Sequence, residues 1–301
     1  MRYPKSWLWA GVAMTAIAGI AVVVGAGEVL STPSRRTLGD APSDLHAANV
    51  RIGTVAGWMI RGQPGQGAVL LLHGVRADRT AMLGRARFLA RGGCTVLLID
   101  LPAHGESGGD RITFGAREKD GVNAALAWLR TQAPGERIGA IGVSLGAASL
   151  VLAHPAPALD AVVLESMYPT IDEAVANRLR VRFGVAGAWA APLLVQQLPW
   201  RAQVAPASLR PIVDIAAMTS PVLIISGTTD TQTPVDETSR VFAAVHAPRQ
   251  LWLVDGAAHV NLHGHVPAEY ERRVGGFLAT HLRQPAPILS KNTVEKTYTE
   301  Q

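Results

Sequence analysis

Residues 138–148 read IGAIGVSLGAA, and the Ala/Leu pattern continues as far as His154. An apolar strand that turns sharply into a helix crowds backbone against backbone at the turn. Gly142 and Gly146 supply the room on either side of Ser144, and Ala147 keeps the start of the helix thin. Such a turn is a nucleophile elbow. It strains its central serine, lifts the hydroxyl above the strand end, and leaves Leu145 N–H at a helix N-terminus facing any oxyanion formed there. The same five residues also fit a plain Gly-rich turn whose serine caps the helix. The pentapeptide alone does not choose between these readings, so its context must.

That context is a repeating alternation of strands and helices. Residues 49–60, β-branched and broken by Gly53 and Gly57, read as an opening hairpin. Continuous apolar runs at 68–72, 94–99 and 138–143 read as strands buried on both faces, with further strands at 161–164, 222–225 and 251–254. Helical spacing occupies 79–91, 115–132, 144–154 and 267–282. The expected fold is therefore α/β: a mostly parallel, twisted sheet with right-handed crossovers and helices on both faces.

One segment breaks the rhythm. Residues 168–211 contain no strand but are apolar at Phe183, Val185, Trp189, Leu193, Leu194, Val195 and Trp200. A structureless loop of that length is improbable in a compact domain, so it reads as a helical insertion. It is either a packed surface subdomain or a lid over the site. In the second case Trp189 and Leu193 are the candidate substrate-binding residues.

At the N-terminus, residues 7–27 carry no charge, follow Arg2 and Lys5, and reach about 30 Å as a helix, enough to span a bilayer. Trp7 and Trp9 stand where an interfacial aromatic belt belongs. The expectation is a membrane anchor or signal segment at 1–30, a linker at 31–48, the main domain at 49–283 and a disordered tail at 284–301. A retained anchor makes the membrane a partner and puts the domain outside the cytoplasm. The small residues Val24, Gly25 and Ala26 keep a cleavable signal open.

The net charge of +5 adds little, because residues 1–36 alone contribute +3. No dense basic stretch or aromatic interleaving remains, and a nucleic-acid partner is not expected. Cys94 is the single cysteine, so no intrachain disulfide exists.

Taken in order, His73-Gly74 after one strand, Asp100 to Gly105 after the next, the elbow at Ser144, a late acid and a late histidine resemble the α/β-hydrolase superfamily over residues 49–283. Within it, the chain is similar to the branch of prolyl oligopeptidases and small serine esterases. The resemblance implies Ser144 as nucleophile, His259 as base and Asp230 as the carboxylate that orients it, the chain order of that superfamily. Val75 N–H and Leu145 N–H would form the oxyanion hole. Glu165 is the rival acid, because it also ends a strand. Asp236 reads as an acidic residue at the start of the following helix. His73 and His104 read as structural.

Many lipase-like members carry a run of glycines after the oxyanion His-Gly, whereas Val75-Arg76-Ala77-Asp78 follows here. That departure counts against the HGGG-type esterases. A zinc site built from His259, His263, His265 and Asp255 lacks a second ligand group, and no metal or cofactor is expected. The expected activity is cleavage of an ester, thioester or amide in a small-molecule acyl substrate, with a carboxylesterase first, a peptidase second and a non-catalytic scaffold third.

Overall fold

The computed structural model describes residues 5–284, with the side chains of 5–12 and 16 outside that description. The expectations for Trp7 and Trp9 and for the tail beyond 284 lie outside the described residues.

Eight strands form one sheet: β1 (Ala48–Ile52), β2 (Val55–Ile60), β3 (Ala68–Leu72), β4 (Thr95–Ile99), β5 (Ile138–Val143), β6 (Ala161–Glu165), β7 (Val222–Gly227) and β8 (Arg249–Val254). Their spatial order is β1-β2-β4-β3-β5-β6-β7-β8. Only β2 runs antiparallel to its neighbours, as the opening hairpin requires. Gly53, at φ 58°, makes the tight reversal from Ile52 back to Val55.

Alternation along each strand sends side chains to two separate cores. In β3, Leu70 and Leu72 join the layer containing Val122, Leu126, Leu145 and Leu150. Val69 and Leu71 join the layer containing Phe88, Leu89, Tyr270 and Val274. The first layer is contributed by helices α3 (Glu118–Gln132) and α4 (Leu145–Leu152), the second by α2 (Leu83–Arg91) and α11 (Pro267–Leu282). Each such leucine, fully removed from water, contributes about 1.5–3 kcal/mol. Burial on both faces explains why these strands read as unbroken apolar runs.

From β3 the chain crosses to β4 on one side, then returns to β5 on the other. Strand order reverses at that point, and the carboxyl ends of β3 and β5 open a crevice there. His73-Gly74 and Ser144 stand at those two ends. The helix expected from residue 79 begins instead as a 3-10 turn, Arg79–Met82, because Asp78 accepts Thr80 N–H at 3.0 Å and tightens the entry.

Between β6 and β7 lies the insertion, which is helical: α5 (Ile171–Ala188), α6 (Ala191–Val195), α7 (Leu198–Ala202) and α8 (Pro211–Asp214). Thr170 caps α5 by accepting Glu173 N–H at 3.2 Å while Glu173 accepts its hydroxyl. Gly184, at φ 72°, kinks α5 near its end. Pro192 and Pro199 fall in the first turns of α6 and α7, where a missing N–H costs nothing. Ile171, Val195, Leu198 and Leu209 form a small third core with Leu152 of α4, which seats the insertion on the domain.

Among the described residues, one helix is long and apolar enough to cross a membrane. It lies in α1 (Lys5–Ser31), where Ala13–Ser31 has a mean hydropathy of 2.0 and is almost entirely exposed. A membrane anchor and a signal sequence share that profile. The segment 31–48, expected as a linker, is held against the domain. Ser34 and Arg35 pair with His104 and Gly105, Arg36 bridges to Asp78 at 3.1 Å, and Leu38 N–H donates to Glu106 at 3.0 Å. Its polar residues find partners on the surface, which composition alone does not reveal. In the remaining helices, α9 (Val235–Ala244) carries Asp236 in its first turn, and α10 (Leu262–His265) precedes α11.

Candidate active site

Ser144 leaves β5 at φ 50°, ψ −108°, a conformation costly for a residue with a β-carbon. The neighbouring glycines make that turn possible. A β-carbon on Gly142 would stand 2.6 Å from Ala147 N, and one on Gly146 only 2.5 Å from the Leu72 carbonyl oxygen. Ser144 makes no side-chain cap bond to α4; its hydroxyl is left for the crevice. Ser144 and His259 line one cleft of about 310 Å3, together with Gly74, Val75, Arg178 and Gln232.

His259 follows β8 in a short loop, and Asp230 follows β7. The two loops touch because Gly227 has no side chain: a β-carbon there would lie 2.0 Å from the Ala257 carbonyl oxygen. His259 Nδ1–H donates to Asp230 Oδ2 at 2.8 Å. Asp230, only 3% exposed, also accepts Gln232 N–H at 2.8 Å, Thr233 N–H at 2.9 Å and the Thr233 hydroxyl at 2.7 Å. Burial pushes the Asp230 carboxyl up, but the His259 and Thr233 hydrogen bonds outweigh it and hold the group below the usual aspartate range. A carboxylate held ionised in this way fixes the ring with its proton on Nδ1, leaving Nε2 free to accept one.

Glu165, the rival acid, points elsewhere. It is buried against Arg85, whose Nε donates to it at 2.8 Å and whose Nη2 also reaches it, and it accepts the Tyr270 hydroxyl. Arg85 Nη1 donates to Asn261 at 2.9 Å, two residues beyond His259. Burial opposes the Arg85 charge, but Glu165 and Tyr270 raise its pKa further. Glu165 thus braces the histidine loop through Arg85.

Val75 borders the Ser144 cleft, and both Val75 and Leu145 border a second, apolar cavity of about 480 Å3. Gly74 lies close enough that a β-carbon on it would sit 3.7 Å from Ser144 Cβ, so the Val75 turn runs directly beside Ser144. His73 steadies that turn: its Nδ1 donates to Gly74 O at 2.7 Å and its Nε2 accepts Leu101 N–H at 3.0 Å. Burial, helped by His104, pushes the His73 imidazole down to about 3, so it stays neutral. His104 bonds Pro102 O at 2.9 Å. His263 stacks on Phe88 and bonds Glu271 at 3.2 Å.

Trp189 and Leu193 do not reach either cavity. They are 79% and 59% exposed on the outer face of the insertion. Phe183 and Leu194, from the same insertion, border the apolar cavity instead.

The sequence does not single out Arg178. Its guanidinium borders both cavities, donates to Ala174 O at 3.0 Å and reaches Ser144 Oγ at 3.5 Å. Among the described residues it forms no ion pair with a carboxylate. Burial lowers its pKa, while Tyr168 and Asp230 work the other way. Arg178 is one of three alternating arginines in α5, with Arg180 and Arg182, so nothing in the sequence marks it out and only the packing puts it at Ser144.

The site thus brings a hydroxyl and an imidazole backed by a buried carboxylate into one cleft, the groups that hydroxyl-to-imidazole proton transfer requires. The model of the Alpha/beta hydrolase family matches residues 69–273. Among solved structures, the chain is similar to the Pyrococcus furiosus esterase Pf2001, at 27% identity and a TM-score of 0.71, covering 84% of this chain and 98% of that one. It shares its fold with the Pyrococcus horikoshii acylaminoacyl peptidase, at 17% identity and a TM-score of 0.60, over 80% of this chain and 42% of that one. A Bacillus subtilis (strain 168) relative, named Uncharacterized protein YqkD, is 26% identical over 214 residues, 70% of each chain.

Proposed function

Because the chain belongs to the alpha/beta hydrolase family, we propose that it is a serine hydrolase that cleaves carboxylic esters through Ser144, His259 and Asp230. The observation that carries this reading is the shared cleft. Ser144 sits there on a strained elbow, and His259 sits there with Nδ1 2.8 Å from a buried carboxylate.

In the proposed reaction His259 Nε2 takes the Ser144 proton as Oγ bonds to the substrate carbonyl carbon. Leu145 N–H and Val75 N–H receive the negative oxygen. The carbon–alkoxy bond then breaks, and the alcohol leaves with the proton held by His259. Water, deprotonated by the same ring, releases the acid and restores the serine. The similarity to an esterase at 27% identity favours an ester over an amide.

We also read α1 as a retained anchor with the domain on the extracytoplasmic side. Its last turns are tied to the domain: Gln197 donates to Val23 O at 3.1 Å, Arg111 pairs with Glu28 at 3.0 Å, and Ile112 N–H donates to Ser31 O at 2.8 Å. Cleavage near Ala26 would discard part of that interface.

A fluorophosphonate probe and a panel of acyl-p-nitrophenyl esters and aminoacyl amides test the reading. Covalent labelling that is lost in Ser144→Ala, with ester turnover exceeding amide turnover, is the expected result. A folded wild-type chain that neither labels nor hydrolyses any ester would be a scaffold. Amide turnover exceeding ester turnover would make it a peptidase.

A further inference from the structure

The 480 Å3 cavity beside the oxyanion turn has a wall that a hydrolase domain alone does not supply. Val75 and Leu145 form its inner end, and Val175, Leu179 and Phe183 of α5 form one side. Ala26, Val29 and Leu30, from the last turns of α1, border it as well. The apolar N-terminal helix therefore ends against this cavity.

That placement is held by contacts on the helix backbone and on the Glu28 side chain, which pairs with Arg111 and Arg201. Gln197 donates to Val23 O at 3.1 Å, and Arg201 and Arg76 donate to Val24 O and Val29 O. The Gln197 side chain packs directly on the helix backbone at Gly27, where a β-carbon would lie 2.2 Å from Gln197 Oε1. Val29 is nevertheless 64% exposed. It faces an apolar space with the volume of a small-molecule site, which runs from about 300 to 1,000 Å3. At about 30 Å3 per water-sized group, the cavity accommodates on the order of a dozen methylenes.

The insertion that forms the other wall presents an unusual outer face. Trp189, Leu193 and Trp200 are 79%, 59% and 60% exposed. Arg180, Arg182 and Arg210 of the same insertion are also exposed. Exposed aromatic and aliphatic groups interspersed with arginine, beside the end of a helix long enough to span a bilayer, make a surface that fits a lipid interface.

We propose that the substrate is a long-chain acyl ester taken from a lipid layer, and that the end of α1 is part of its acyl site. The chain lies between α1 and α5, its carbonyl carbon meets Ser144 Oγ, and the alcohol half occupies the cleft that holds His259 and Arg178. This rests on the ester-hydrolase reading above, and the chemical step is the same. Ser144 gains the acyl group, the alcohol leaves with the His259 proton, and water then frees the fatty acid.

The test uses the full-length chain in detergent with p-nitrophenyl esters from acetyl to hexadecanoyl. For the wild type, kcat/KM should rise roughly fourfold per added methylene until the cavity is full. Val29→Trp should narrow the cavity and lower the dodecanoyl-to-acetyl ratio of kcat/KM at least tenfold. Leu30→Ala should widen it and shift the optimum to longer chains, with fluorophosphonate labelling of Ser144 reporting that each variant is folded. Identical ratios in the wild type and both variants would overturn the role of α1.

The source of the substrate is read separately, with the chain reconstituted in phosphatidylcholine vesicles at a fixed amount of a long-chain ester. Turnover that varies with lipid surface area supports uptake from the layer, and turnover independent of it overturns that part. A wild-type chain that neither labels nor cleaves any ester defeats the hydrolase reading and this inference together. Ester cleavage with unaltered ratios defeats this inference alone.

Discussion

His259 donates its Nδ1 proton to Asp230 at 2.8 Å, and the accepting carboxylate is only 3% exposed. Three further donors hold that carboxylate, so the imidazole is oriented by a group that itself cannot swing away.

Exchanging the two strand-end acids separates orientation from bracing. Asp230→Asn should leave the melting temperature little changed while kcat falls by roughly 10⁴, the cost of a misplaced tautomer in a Ser-His-Asp site. Glu165→Gln leaves buried Arg85 with its charge uncompensated. It should destabilise the domain by about 3–5 kcal/mol, read as a lower denaturation midpoint. Paired kinetics and urea melts decide it, and the reverse pattern would remove Asp230 from the proposed triad.

The guanidinium of Arg178 reaches Ser144 Oγ at a long 3.5 Å and has no carboxylate partner among the described residues. Charge that develops on the reacting oxygens, or sits on the alcohol half, should meet it. Arg178→Met should lower kcat/KM roughly tenfold on a neutral ester, the scale of one weak charged hydrogen bond. The loss should be larger on an ester whose alcohol half carries a carboxylate. Equal losses on both would assign Arg178 a packing role.

His73 gives the stability a pH dependence whose sign follows from its burial. The folded imidazole titrates at about 3, whereas an unfolded histidine titrates near 6.5. Between those values the unfolded chain binds the extra proton. The contribution is complete above about pH 6.5 and declines by about 1.4 kcal/mol per pH unit below it. Urea midpoints from pH 7 to 4 should show that slope in the wild type and a slope one proton shallower in His73→Asn. A slope unchanged by the substitution would show that His73 is not held neutral.

The elbow glycines make a steric prediction. A methyl at Gly146 meets the Leu72 carbonyl oxygen at 2.5 Å, and one at Gly142 meets Ala147 N at 2.6 Å. Neither contact is with a side chain that can rotate away. Gly142→Ala and Gly146→Ala should each cost about 1–3 kcal/mol or more, measured by thermal melts, with fluorophosphonate labelling slowed in whatever remains folded. Wild-type melting temperatures in both would mean a roomier turn than this geometry implies.

The sequence by itself determined the strand-helix alternation, the elbow at Ser144 and the strand-end positions of Asp230, Glu165 and His259. Those are local matters: two-sided burial writes unbroken apolar runs, and a sharp turn demands glycine within two residues of its apex. It favoured Asp230 over Glu165 through the resemblance and its turn, although both acids end neighbouring strands. The tertiary structure separates their partners: His259 bonds Asp230, while Arg85, which comes from α2 some 80 residues earlier, claims Glu165. It also decided Arg178 beside Ser144, Trp189 and Leu193 turned to the outside, and the end of α1 against the apolar cavity. Each depends on which elements the strand order brings together, and periodicity and turn chemistry carry no information about partners so far apart along the chain.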